Sequence, residues 1–149
     1  MKTVGRVLEH KSKRVWSIEP EQPVAEALRL MAEKDVGALL VVSSERLVGI
    51  VTERDVVRKL ALQGHDAAAT PVRAIMTERV LYVRPEQTIE ECMALMTEKH
   101  LRHLPVVDAG RILGIISIRD VVADLIAEKS FIIEQLENYI YAIPPYNRT

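Results

Sequence analysis

A chain of 149 residues, 48% of them hydrophobic, has the length of one ordinary domain and enough apolar material to bury a core. A formal net charge of −1, with one Trp, one Phe and no long run of Lys or Arg, argues against a phosphate-tracking stripe or an aromatic platform for nucleic acid; Lys11, Lys13 and Arg14 read as a solvated cluster. Cys92 is the only cysteine, which excludes an intramolecular disulfide, and neither Met1–Leu8 nor any later apolar run suits a signal peptide or a span of roughly 20 residues, so a soluble, cytoplasmic protein without membrane partners is expected.

In chain order, Thr3 to Leu8 is expected to form a short helix, and Val15–Ile18 a brief strand stopped by Pro20. Val24, Ala27, Leu28 and Met31 fall at i, i+3, i+4 and i+7, the spacing of an amphipathic helix. Ala38–Val42 and Leu47–Val51 flank the polar turn 43–46 as a hairpin, and a second helix follows from Asp55, with Val56, Val57 and Leu60 on its apolar face. Gln63 to Ala69 reads as a loop, and Thr70-Pro71 as an N-cap and N1 proline opening a short helix to about Met76.

The pattern then starts again. At an offset of 65, residues 80–125 match residues 15–60 without a gap, and about 20 of the 46 aligned positions are identical. Val80–Val83 is the strand before Pro85, and Ile89, Cys92, Met93 and Met96 give the helix. Leu104–Val107 and Ile112–Ile116 form the hairpin around 108–111, and Val121, Val122 and Leu125 supply the last apolar face. Met and Cys at these positions are core residues. Neither copy alone covers both faces of a three-stranded sheet, so the two should pack into one body. Beyond them, Ile132, Leu136, Tyr139 and Ile140 share a helical face before Pro144-Pro145 ends the pattern.

The segment that could carry chemistry occurs twice, as Gly49-Ile50-Val51-Thr52-Glu53-Arg54-Asp55 and Gly114-Ile115-Ile116-Ser117-Ile118-Arg119-Asp120. Each brings a hydroxyl, a carboxylate and a guanidinium to the point where strand becomes helix. Helix capping alone accounts for much of this. The combination also suits a nucleotide: a carboxylate accepts ribose hydroxyls, helix-start N–H groups and Arg54 or Arg119 bind phosphate, and Ile50 or Ile115 offers an apolar wall to a purine. No Gly-rich phosphate loop, nucleophile elbow or metal cluster accompanies it; His100 and His103, three apart, lack acidic or Cys companions.

Two motifs of the form Gly-hydrophobic-hydrophobic-Thr/Ser-x-x-Asp, together with Arg102-His103-Leu104-Pro105-Val106-Val107-Asp108, make the sequence resemble tandem CBS (cystathionine β-synthase) domains over about residues 3–126. The resemblance implies an α/β (α+β) fold: two pseudo-symmetric β-α-β-β-α repeats packed through their sheets, with flanking helices. Residues 1–126 would form a single Bateman module, of repeat 1 (about 8–62) and repeat 2 (about 74–126), followed by a helical tail, 127–149. It further implies two clefts for adenine nucleotides, AMP foremost, with ATP, ADP, NAD(H) or S-adenosylmethionine as other occupants, and no metal. Asp55 and Asp120 would hold ribose hydroxyls, Thr52 and Ser117 would assist at ribose or phosphate, and Arg54 and Arg119 would meet phosphate. The Asp55 cleft would be completed by Met76, Leu81, Tyr82, Arg102, His103 and Leu104, and the Asp120 cleft by Trp16, Ser17, Val36, Gly37 and Ala38 beside Ile115.

Because Gly37-Ala38 replaces Arg102-His103 between copies, the clefts should differ in ligand, or only one of them should work. The expected function is a non-catalytic regulatory sensor, acting in signal transduction through conformation or assembly and passing its response to a target protein. A homodimer is expected, packed through exposed apolar faces of helices 24–34 and 89–99. The alternative is a structural or interaction module with empty clefts.

Overall fold

The computed structural model describes residues 2–11 and 15–140, with the side chains of 133 and 137–140 excepted. Lys13, Arg14 and Pro144-Pro145 lie outside the described residues, and the side chains of Tyr139 and Ile140 are likewise not described. The elements are α1 (Val4–Glu9), β1 (Ser17–Ile18), α2 (Val24–Lys34), β2 (Ala38–Ser43), β3 (Arg46–Thr52), α3 (Glu53–Asp55, continuing as a π-helix over Val56–Ala61), α4 (Ile89–Lys99), β4 (His103–Asp108), β5 (Arg111–Ser117) and α5 (Ile118–Ile140).

In the first repeat β1 runs parallel to β2, which pairs antiparallel with β3; in the second, β4 and β5 pair antiparallel. The two hairpins match residue for residue. Ser43 faces Arg46 and Asp108 faces Arg111, and the register shifts once in each, at Val41/Val42 and Val106/Val107. The turn residues Ser44 and Glu45 (φ 51° and 63°) and Ala109 and Gly110 (φ 49° and 77°) all take left-handed backbone, as a two-residue turn matched to the strand twist requires.

The expected strand at Val80–Val83 is reduced to one bridging residue, Val83 opposite Val106. A proline explains the difference. Leu40 donates its N–H to the Trp16 carbonyl (3.2 Å), but the equivalent of Leu40 is Pro105, which has no N–H to offer the Leu81 carbonyl. The short helix expected from Thr70 is a single 3₁₀ turn, Val72–Ala74, with Pro71 in the N-cap place rather than at N1. The final helices begin two residues before the aspartates, at Glu53 and Ile118. With no Gly or Pro between Ile118 and Ile140, α5 runs without a break into the expected tail.

Alternation along the strands assigns each face. Leu39, Val41 and Val51 join Val24, Ala27 and Met31 of α2 in the core of the first repeat, and Leu104, Val106 and Ile116 join Ile89, Cys92 and Met96 of α4 in the second. The opposite sheet faces meet each other, where Ala38, Leu40 and Ile50 pack near Val80, Ile112 and Ile115. The connecting segments cross over. Val4 of α1 belongs to the core of the second repeat, tied by Val4 N–H to Gln87 O (2.8 Å), while Val72 belongs to that of the first, tied by its N–H to Gln22 O (2.8 Å).

One expectation about surfaces is corrected. The apolar faces of α2 and α4 are consumed by these cores and are not free for a partner. Apart from Leu81, Tyr82 and Leu113, the exposed large apolar side chains among the described residues lie on the other helices: Val57 and Leu62 at α3 and its end, and Val122, Ile126, Phe131, Ile132 and Leu136 along α5.

Candidate functional site

Asp55 is the only buried charged residue among the described residues. Its burial is supported by a capping box: Thr52 N–H donates to Oδ2 (3.0 Å), the Thr52 hydroxyl donates to the same oxygen (3.2 Å), and Asp55 N–H donates back to Thr52 Oγ1 (3.2 Å). Oδ1 takes Lys59 Nζ at 3.0 Å and the Thr77 hydroxyl at 3.4 Å. A carboxylate has about four lone-pair sites and these four donors fill them, so a ribose hydroxyl would enter by displacing one of the longer contacts, those of the Thr52 and Thr77 hydroxyls.

Asp55 opens onto a cavity of about 360 Å³. Ile50, Val80, Leu81 and Pro105 give it apolar walls, and Arg54, Arg79, Lys99 and Arg102 bring four cations to it, with Glu53 as the one other acid. The size and the few convergent polar groups are those of a small-molecule site. His103 lies in the wall next to Gly37, whose added Cβ would be 3.5 Å from the imidazole. Burial pushes the His103 imidazole below its ordinary value; Lys11 lowers it further, Asp120 pulls the other way, and Arg102 lowers it again. His103 therefore adds no charge to the cleft near pH 7.

Of the residues expected in this cleft, Thr52, Arg54, Asp55, Leu81, Arg102 and His103 line it together. Arg54 is turned to the second repeat, donating to the His100 carbonyl at 2.7 Å. Met76, Tyr82 and Leu104 do not line it. Met76 lies over Gly49, Leu104 is fully buried in the core of the second repeat, and Tyr82 points to solvent. Gly37, expected in the other cleft, lines this one. Arg79, Lys99, His100 and Thr77 were missed. For Lys99 a signal existed, because it repeats Lys34, and Lys34 lines the opposite cleft. His100 caps α4 in left-handed backbone (φ 55°), so it is not one turn of helix away from His103 as paired ligands would be.

The second cleft is built otherwise. Trp16, Val36, Ala38 and Ile115 come together with Val15, Leu40, Lys11 and Lys34 around a space of about 540 Å³. Lys34 Nζ stands 4.4 Å from the centroid of the Trp16 ring, a cation–π contact. Asp120 lines an adjoining hollow with Lys2, Val7, His10, Ala123, Asp124 and again Lys11. Ser117 repeats the cap, with Ser117 N–H to Asp120 Oδ2 at 2.8 Å and Asp120 N–H to Ser117 Oγ at 3.1 Å. Lys11 Nζ donates to the same Oδ2 at 2.6 Å. Burial raises the Asp120 carboxyl, but the Lys11 and Ser117 hydrogen bonds outweigh it and hold the group below its ordinary value. Ser17 faces a separate hollow with Gln22 and Val42, and Arg119 is exposed and lines neither cleft.

The model of one protein family, "CBS domain", matches residues 4–62 and 72–127. The mitochondrial CBS domain-containing protein CBSX3 of Arabidopsis thaliana is 35% identical over 148 residues, 93% of this chain and 71% of that protein. Among solved structures, a proposed signal-transduction protein with CBS domains from Burkholderia ambifaria MC40-6 is 48% identical with a TM-score of 0.83, covering 85% of this chain and 95% of that one. The CBS domain pair of MJ0100, solved with 5'-methylthioadenosine and S-adenosyl-L-methionine, shares the fold at 24% identity and a TM-score of 0.74, covering 87% of this chain and 98% of that chain. Two motif-bearing repeats, facing sheets and the family match together place this chain in the CBS domain family, as a tandem CBS pair.

Proposed function

We propose that the chain is a non-catalytic regulatory module that binds an adenine nucleotide in the Asp55 cleft, and that ligand occupancy changes its conformation or assembly. The observation that carries this reading is one cavity that combines a capped, buried carboxylate, apolar walls and four lining cations. The adenosine compounds in the MJ0100 pair belong to that protein; for this chain the support is the chemistry of its own residues.

AMP is the first ligand to try, and the number of cations extends the range to ATP, ADP and NAD(H). The Trp16 cleft, with Asp120 alongside, is the second site, of different preference. Regulation requires that ligand favour one state over another, with a coupling typically about 1–3 kcal/mol. The exposed apolar side chains of α5 support a homodimer or a docked target protein, with residues 1–126 as the binding module and α5 beyond them as the output surface. A free, buried Cys92 fits a reducing compartment such as the cytoplasm. No described helix is long and apolar enough to cross a membrane.

The test is a thermal melt of nucleotide-free protein with AMP, ATP and NADH, where a ligand at about 100 times its Kd stabilises by roughly 2.7 kcal/mol. Stabilisation that shrinks in Asp55→Ala, leaving at most the share of the second cleft, supports the reading. Unchanged melting with every nucleotide leaves the interaction-module alternative standing in its place.

A further inference from the structure

The two aspartates are paired with lysines in different ways. In the first repeat the partner, Lys59, sits one turn along the same helix as Asp55, donates also to the Ile75 carbonyl (3.1 Å), and does not line the cavity. In the second repeat the equivalent of Lys59 is Asp124, an acid that is itself paired with Lys2 at 2.6 Å. Asp120 therefore has no cation on its own helix one turn ahead. Lys11 supplies it from 109 residues away in sequence, just beyond α1, and the same ammonium caps the Ile115 carbonyl at 2.9 Å. In the first repeat the equivalent carbonyl, that of Ile50, is satisfied by a backbone donor, Thr77 N–H at 2.9 Å. Lys11 is thus a side-chain bridge across the mouth of the second cleft, common to the Trp16 space and the Asp120 hollow.

We propose that Lys11 is the specificity-determining residue of the second cleft, a latch on Asp120 that makes the cleft select phosphorylated nucleotides over nucleosides. The proposal rests on the nucleotide reading given above. A ribose that engages both oxygens of Asp120 through its vicinal hydroxyls must displace an ammonium held on Oδ2 at 2.6 Å, with only 32% of the lysine side chain exposed. A nucleoside leaves that cation without an anion. A nucleotide brings its own, because a phosphate on the same ribose gives the displaced Lys11 a new partner while the purine enters beside Trp16.

Trp16 is the only tryptophan of the chain and lines this cleft, so its fluorescence reports the second site without disturbing the first. Adenosine and AMP are titrated into the full chain and into Lys11→Met and Lys11→Arg, following Trp16 emission, with total binding measured in parallel by calorimetry. AMP should be preferred over adenosine by at least about tenfold in the unaltered protein and in Lys11→Arg, and that preference should collapse in Lys11→Met, with adenosine binding more tightly than before. An unchanged AMP-to-adenosine ratio in Lys11→Met overturns the latch. So does calorimetric binding that never moves Trp16 emission in any variant, which leaves the first cleft and the nucleotide reading intact. If calorimetry finds no binding of AMP to any form, the nucleotide reading falls and the latch with it.

Discussion

Gly49 and Gly114 occupy the same place in the two motifs, yet an added methyl group should be tolerated at only one of them. A Cβ on Gly49 would stand 2.8 Å from Met76 Sδ and 3.0 Å from the Thr77 carbonyl oxygen. The methionine can turn away, but the carbonyl cannot, because Thr77 and Ile50 exchange both backbone hydrogen bonds (3.0 and 2.9 Å). At Gly114 the new atom would meet only the two methyl groups of Leu8, at 3.1 and 3.4 Å, the far end of a flexible side chain. Overpacking costs about 1–3 kcal/mol, and weakening one bond of the Ile50–Thr77 bridge adds about 0.5–1.5 kcal/mol. Gly49→Ala should therefore destabilise by about 2–4 kcal/mol, lowering Tm by on the order of 10 °C for a chain of this size, whereas Gly114→Ala should cost under about 1 kcal/mol. Urea and thermal denaturation of the two variants side by side measure the difference. Equal losses, or a larger loss for Gly114→Ala, would refute the assignment of the close backbone approach to the first repeat alone.

Replacing Pro105 by Val restores an N–H opposite the Leu81 carbonyl and should extend the parallel pairing as in the first repeat, stabilising by about 0.5–1.5 kcal/mol; hydrogen exchange at residue 105 should show a protected amide. His103 is depressed below its ordinary 6.5, so the unfolded chain binds its proton first as pH falls; its contribution is present above that value and is lost below it. Urea midpoints should accordingly fall as pH drops from 7 through the region below 6.5, with a shallower fall in His103→Asn. Asp120 has the same sign at lower pH, its contribution being lost below its ordinary 3.8. Val122, Ile126, Ile132 and Leu136 occupy roughly a third of the circumference of α5, so Ile126→Glu with Leu136→Glu should convert a dimer to a monomer by light scattering; an unchanged mass would place self-association elsewhere.

Local periodicity made most of the fold readable from the residues. The bounds of α2 and α4 follow from apolar spacing and the hairpins from alternation with polar turns, and the duplicated register states that whatever one copy forms the other forms as well. The capped aspartates were equally legible, since Thr52 with Asp55 and Ser117 with Asp120 interact across three residues. Where the copies differ by one residue the repeat misleads, as when Pro105 removes the N–H that makes β1 a strand and leaves Val83 a lone bridge.

The sites themselves were decided in three dimensions. Only the crossing of α1 onto the second repeat brings Lys11 to Asp120, and only the packing of Val72–Ala74 onto the first sets Thr77 beside Asp55. The same packing turns Leu104 inward, seats Gly37 against His103 in the Asp55 cleft, and gathers Arg79 and Lys99 around it. Sequence spacing describes neighbours within a few residues of one another. A long lysine side chain reaching a carboxylate 109 residues away follows from how the chain crosses between its two repeats, which no local pattern encodes.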